Sequence, residues 1–259
     1  MADFLDTLAQ SAKATIDNGY YEVATEAAAS RLSLKKAILE AKCTPVITEI
    51  KAASPSAGMI REKVDVRNIA ESMEKGGAVG ISVLTEPKHF NGSLHSLVEA
   101  RRKVKLPIIM KDIILSPVQL EAASKLGANV VLLIVALFNR GYCESTLSDM
   151  IATAHSNGLE ILLETHTSKE FRSAVTTQAD LIGINNRNLA TLKVDLNVTK
   201  NILEQNSAEG KIIVSESGVS TPADLRFLHS YGAQAFLVGS AVMLAEDVEG
   251  KVKELVSVL

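Results

Sequence analysis

Tryptophan is absent from this 259-residue chain, and aromatic residues make up only 4% of it. With 47% hydrophobic residues, the core must be aliphatic. Cysteine is almost as scarce. Cys43 and Cys143 lie a hundred positions apart and make no metal-ligand or redox spacing, so both are read as structural thiols. Neither sign of charge dominates, with 27 Lys+Arg against 30 Asp+Glu and a formal net charge of -3. That argues against a general nucleic-acid binder, which carries a basic excess. No apolar run approaches the roughly 18–20 residues that span a bilayer. The longest, NVVLLIVALF at 129–138, is far too short. The first residues carry Asp3 and Asp6 and have no apolar signal-peptide core, so the expected setting is cytoplasmic, away from membranes. No long Gly/Ser/Pro linker interrupts the chain, and residues 1–259 are expected to form one domain.

Eight short, nearly continuous apolar runs are present. They lie at 45–50 (PVITEI), 79–84 (VGISVL), 107–111 (PIIMK), 129–135 (NVVLLIV), 159–164 (LEILLE), 180–184 (DLIGI), 211–215 (KIIVS) and 234–238 (QAFLV). Runs that do not alternate with polar residues read as strands buried on both faces. Helical patterns fill the gaps. One at 118–126 stops at Gly127, one at 147–156 stops at Gly158, and one at 222–231 begins with Thr221 and Pro222 and stops at Gly232. The mean repeat is about 27 residues, which fits strand–helix units with right-handed crossovers. Eight such units in a chain of this length predict an α/β fold, a single (β/α)8 TIM barrel. An open doubly wound sheet is disfavoured because no G-x-G-x-x-G follows the first run. Residues 1–43 precede the first strand. Phe4, Leu5, Leu8, Ala12 and Ile16 recur there at helical spacing, which predicts an N-terminal helical extension capping the barrel. Periodicity alone leaves open whether it covers the bottom or lies as a lid over the top.

Barrel chemistry sits at the C-terminal ends of the strands, so the polar residues that end the runs are the candidates. The first run ends in Glu49 and Lys51, followed by Ser54-Pro55-Ser56. The second runs into Thr85-Glu86-Pro87, with Phe90 beyond. The third ends in Lys111-Asp112, the fifth in Glu164, and the sixth in Asn185-Asn186-Arg187-Asn188. The seventh ends in Ser215-Glu216-Ser217-Gly218 and the eighth in Gly239-Ser240. A lone charge at a strand end is most often only solvated, but so many on one fold should converge on one mouth. Glu49 and Lys51 are two apart and share a face of their strand. Ser217-Gly218 and Gly239-Ser240 fit the phosphate site of this fold, where glycines let the backbone approach an anion. Lys51 and Lys111 beside Glu49 and Glu164 suit acid–base chemistry, with a Schiff-base lysine as the rival. His166 has no second His or Cys at ligand spacing, so no metal is expected.

Taken together, ITEIKAASPSAG (47–58), ISVLTEPKHFNGS (81–93), PIIMKDIILSPVQ (107–119), ILLETHT (161–167), IGINNRNLATLKVDL (182–196), IIVSESGV (212–219) and FLVGSAVM (236–243) resemble indole-3-glycerol-phosphate synthase. The strings lie in order and cover nearly the whole barrel. The resemblance implies ring closure, decarboxylation and dehydration of 1-(2-carboxyphenylamino)-1-deoxyribulose 5-phosphate in tryptophan biosynthesis. It implies a carboxy-lyase with no cofactor and no metal. Its partner is a phosphorylated small molecule, with room for transient contact with neighbouring enzymes of the pathway.

The same resemblance assigns roles. Lys111 would be the general acid that protonates the carbonyl oxygen, Glu164 the general base and Lys51 an acid in the dehydration. Glu49, Asn185, Arg187 and Glu216 would complete the polar wall. Ser54, Ser217, Gly218, Gly239 and Ser240 would hold the phosphate. Phe90, Leu132 and Ile134 would wall the aromatic ring. It also implies that residues 1–43 lie over the active site. The sequence departs from the family at Ile113, where an aromatic often stands, at Ser116, where Asp is expected, and at Thr165. The nearest enzyme rival, phosphoribosylanthranilate isomerase, would need a Cys and an Asp at strand ends, whereas Glu and Lys dominate here. A non-catalytic binding barrel would have lost Lys51, Lys111 and Glu164.

Overall fold

A computed structural model describes residues 3–25, 32–54, 58–61 and 64–259. The eight apolar runs form eight parallel strands: β1 (Val46–Ile50), β2 (Gly80–Leu84), β3 (Ile108–Lys111), β4 (Val130–Ile134), β5 (Glu160–Thr165), β6 (Leu181–Asn185), β7 (Ile212–Glu216) and β8 (Ala235–Val238). They pair in sequence order, and β1 closes on β8 with Val46 opposite Phe236. Closure removes both sheet edges. The fold is the TIM barrel.

Both faces of each strand are buried, which is why the runs lack alternation. One face fills the barrel interior with Ile47, Ile109, Leu132, Leu162, Leu181, Ile212 and Leu237. The other packs outward with Val46, Ile81, Met110, Val131, Ile182 and Phe236 against the helices. Of the six phenylalanines, only Phe171 and Phe236 stand among the largest fully buried side chains, so the interior is aliphatic as the composition requires.

The helical patterns materialise with small shifts. The 118–126 pattern becomes Pro117–Lys125, and the 222–231 pattern becomes Pro222–Ser230. The latter opens with a reciprocal cap: Thr221 Oγ1 accepts the Asp224 N–H and Asp224 accepts the Thr221 N–H. The departure at Ser116 has a structural role. Its hydroxyl donates to Glu144 at 2.6 Å, while the Gln119 carboxamide accepts the N–H groups of Leu115 and Ser116. Thr165 turns away from the barrel interior but is buried, donating to the Gly183 carbonyl at 2.8 Å. Among the described residues no helix is long and apolar enough to cross a membrane.

The N-terminal extension covers both ends of the barrel. Helix α1 (Phe4–Asp17) lies over the C-terminal mouth. Arg140, after β4, donates to Asp3 and Asp6 at 2.7 Å, and the Tyr142 hydroxyl donates to Asp6 at 2.9 Å. Phe4 meets His89 edge to face. Helix α2 (Leu34–Leu39) plugs the opposite end. There the Glu160 carboxylate, at the start of β5, accepts the Leu34 and Lys35 N–H groups and the Ser33 hydroxyl. A Cβ on Gly80, the first residue of β2, would crowd Leu34 Cδ1 at 2.7 Å, so that glycine admits the plug. Between the two helices, the Tyr21 hydroxyl donates to buried Asp112 at 3.0 Å, tying the strap to the end of β3.

Candidate active site

Parallel strands of similar length deliver their C-terminal residues to one rim, and period-2 alternation decides which of those residues face inward. Glu49, Lys111, Glu164 and Asn185 all do. With Lys51, Arg187, Ser217, Gly218, Gly239 and Ser240 they line a single cavity of about 300 Å³. Phe90, Leu132, Ile134 and Ile113 supply apolar wall to the same cavity. An aliphatic residue thus does the walling at Ile113. Pro55 and Ser56 and the side chain of Ser54 lie outside the described residues, so that part of the expected phosphate site is not placed.

The charged groups form one connected cluster. Glu49 bridges two ammonium groups, with Lys111 Nζ and Lys51 Nζ each 2.8 Å from one of its oxygens. Burial pushes the Glu49 carboxyl up, but Lys111 and Lys51 outweigh it and bring the pKa down to about 2. Burial alone would lower the Lys111 pKa. Glu49, Glu216 and Glu164 more than offset this and raise its pKa above the ordinary lysine value. Lys111 is thus held as a charged proton donor at the edge of the cavity.

Glu164 shifts the other way. Burial raises it, partly offset by Lys111 and the Asn185 amide. Glu216 is raised to about 8, by burial first and then by repulsion from Glu164. These two carboxylates therefore cannot both ionise freely near neutrality, and their protonation is shared.

Glu216, expected in the substrate wall, is 0% exposed and is not among the residues lining the cavity. It lies behind Lys111, with Nζ 3.9 Å away, and neither of its oxygens has a hydrogen-bond partner among the described residues. Gly183 makes the room it occupies, because a Cβ there would run into Glu216 Oε1. A raised carboxylate pKa has a definite linkage sign. From its ordinary 4.5 up to about 8, the folded state keeps a proton that the unfolded chain has released, so this group's contribution weakens as pH rises through that window. Glu216→Gln is therefore expected to unfold at a higher temperature than the native protein at pH 8, with the gap closing toward pH 4.5. Parallel melting curves across that range would show that Glu216 titrates normally.

Three features of the site were not read from sequence. Phe4 and Leu8 of α1 line the cavity, because the lid folds back across the mouth. Glu86 organises the loop that carries Phe90 by accepting the N–H groups of Lys88, His89 and Phe90. His166, two residues after Glu164, donates from Nδ1 to the Asn185 carbonyl at 2.7 Å, while the Asn185 side-chain oxygen accepts the Arg187 N–H at 2.9 Å. The spacing of Glu164 and His166 was the available signal for this last contact.

Part of the rim, with Gly239 beside Lys51, is made by turns. Ser217 and Gly218 both adopt left-handed backbone, with φ of 65° and 82°. A Cβ at Gly218 would strike Val194 Cγ1, and one at Gly239 would strike Glu49 Oε1 and Lys51 Nζ. Both glycines therefore let the backbone approach closely. Leu189, Leu192 and Val194, from the loop after β6, complete the cavity. Among the described residues no group of three His, Cys, Asp or Glu side chains is placed to hold a metal ion. The cluster as a whole offers a fixed proton donor, carboxylates of opposed pKa, an apolar slot and a rim of glycine-bearing turns.

Comparison with known proteins bears on the fold and the family. Among solved structures, the thiamine phosphate pyrophosphorylase from Pyrococcus furiosus superposes with a TM-score of 0.59 at 19% identity, covering 86% of this chain and 96% of that one. The N-acetylmannosamine-6-phosphate 2-epimerase from Clostridium perfringens superposes with a TM-score of 0.61 at 15% identity, covering 83% and 93%. At such identities these likenesses speak for the barrel alone. Sequence relatives are nearer. The indole-3-glycerol phosphate synthase of Methanocaldococcus jannaschii is 44% identical over 230 residues, covering 87% of this chain and 84% of its own. That of Desulforamulus reducens is 40% identical over 222 residues, covering 86% and 82%. The family model described as indole-3-glycerol phosphate synthase matches residues 5–255. With the barrel, the strand-end cluster and these matches in agreement, the chain belongs to the indole-3-glycerol phosphate synthase family of carboxy-lyases.

Proposed function

We propose that this chain converts 1-(2-carboxyphenylamino)-1-deoxyribulose 5-phosphate to indole-3-glycerol phosphate, carbon dioxide and water, in the cytoplasm, as a step of tryptophan biosynthesis. Residues 1–259 act as one barrel domain with the N-terminal extension as its cap. Transient contact with neighbouring enzymes of the pathway belongs to the same reading. The observation that carries it is Lys111, held charged at the cavity edge by Glu49 and backed by Glu216, with Glu164 in the same cavity.

The phosphate sits against Ser217, Gly218, Gly239 and Ser240, with Lys51 and Arg187 adding positive charge, and Ser54 belongs to the same reading. The anthranilate ring lies against Phe90, Leu132, Ile134 and Ile113, under Phe4 and Leu8. Pressing the ring carbon onto the carbonyl carbon is work for apolar walls. As the new carbon–carbon bond forms, Lys111 gives its proton to the carbonyl oxygen and leaves a hydroxyl. The carboxylate then departs as carbon dioxide, and its bonding electrons restore the aromatic ring without a base. In the last step Glu164 takes a proton from the neighbouring methylene, while the hydroxyl leaves as water with a proton from Lys51. Asn185 orients the substrate's nitrogen and hydroxyl groups. Glu49 fixes both lysines, and Glu216 steadies Lys111 from behind.

Offering the purified protein this substrate and phosphoribosylanthranilate in parallel tests the reading. Indole absorbance and fluorescence should grow only with the first, matched by one carbon dioxide per indole. Turnover of the second alone would overturn it.

A further inference from the structure

Two consecutive left-handed residues form the rim turn after β7, and the first of them, Ser217, is not a glycine. Side-chain-bearing residues are disfavoured in that region, so a turn of this shape persists only where its surroundings hold it. The holding group is Asn186. It follows inward-facing Asn185, so alternation turns it outward, behind the barrel wall; it is 0% exposed and lines no part of the cavity. Its Nδ2 donates to the Ser217 carbonyl at 3.1 Å and to Ser215 Oγ at 3.0 Å. Its Oδ1 accepts the N–H of Thr199 at 3.2 Å and the Thr199 hydroxyl at 2.8 Å. Ser215 and Thr199 close the ring with a hydroxyl contact of 2.9 Å. The main chain is committed too, since the Asn186 N–H donates to the Glu216 carbonyl and its own carbonyl accepts the Asp195 N–H.

Every polar group of Asn186 is thus used, and the bonds join the end of β6, the helix Asn197–Gln205 and the end of β7 to the carbonyl of the strained residue. A satisfied buried network of this kind specifies one backbone arrangement and is costly to break in part. We infer that Asn186 is a positioning residue for the phosphate-binding turn, fixing Ser217 and Gly218 in anion-accepting geometry without touching the ligand. This rests on the phosphate rim proposed above.

The test uses Asn186→Ala and the milder, nearly isosteric Thr199→Val, with inorganic phosphate as the probe. Only variants with a cooperative melting transition are compared. In Asn186→Ala, KM for the phosphorylated substrate and the inhibition constant for inorganic phosphate should rise together by about tenfold or more. The kcat value should fall by less than about threefold, because binding and not the transition state is affected. Thr199→Val should move both constants the same way by a smaller factor, and it decides the matter alone if Asn186→Ala does not fold. A folded variant whose phosphate constant is unchanged, while the native protein is inhibited, overturns the positioning role and leaves the phosphate rim standing. A native protein that phosphate does not inhibit overturns the rim itself.

Discussion

Lys111→Ala is expected to lower kcat/KM by about 10³-fold or more, the combined scale of losing a general acid and a fixed donor to a developing oxyanion. The loss should fall on kcat, because in the proposed mechanism Lys111 gives its proton only as the carbon–carbon bond forms. The phosphate rim and the apolar slot remain, so substrate should still bind. Removing the ammonium also changes its neighbours. Glu49 keeps Lys51 at 2.8 Å, but Glu164 and Glu216 lose the cation that lowers them both and should take up protons. Lys111→Arg retains the charge yet presents a planar fork in place of a compact ammonium, so it should restore little of the rate. Steady-state rates by indole fluorescence check this, and Lys111→Ala turning over within tenfold of the native protein would remove it from the acid role.

Glu164→Gln carries the second large effect, an expected loss of about 10²–10⁴-fold in indole formation, the usual range for a general base. Its signature differs from that of Lys111. In the proposed mechanism Glu164 acts after carbon dioxide has left, so in a single turnover the variant should release carbon dioxide well ahead of indole, with a hydroxylated intermediate accumulating. The Glu216 carboxyl should titrate lower in this variant, since Glu164 is the charge that most repels it. If carbon dioxide and indole are lost in equal measure, Glu164 acts before decarboxylation and its assignment here is wrong.

The eight apolar runs were legible because strands buried on both faces cannot hide among alternating patterns. Val46–Ile50 and Ile212–Glu216, for example, are buried throughout. Strand ends supplied Glu49, Lys111, Glu164 and Asn185 for the same reason, since parallel strands leave little choice about which end carries polar groups. What stayed hidden depends on contacts between distant segments. Asp3 and Asp6 meet Arg140, and Leu34 and Glu160 meet across the bottom. Periodicity marked α1 as a helix but could not say that it is a lid, nor that α2 is a plug. Glu216 was legible as a strand-end residue, but its full burial was not. Depth follows from Gly183 on the neighbouring strand, and no spacing rule within β7 encodes it. Asn186 was visible only as part of an Asn-Asn pair. Its use depends on Thr199 and Ser217, which come from two other elements.

The proposed mechanism has Lys111 acting on a substrate pinned by its phosphate at the rim, and that geometry can be observed. A crystal structure with a substrate analogue whose carbonyl is reduced to the alcohol measures it most directly. The phosphate should lie on the amides of Ser217, Gly218, Gly239 and Ser240, the ring against Phe90 and Leu132, and the alcohol oxygen within hydrogen-bond reach of Lys111 Nζ. An analogue bound with its phosphate elsewhere, or with Lys111 turned away from that oxygen, would contradict the account.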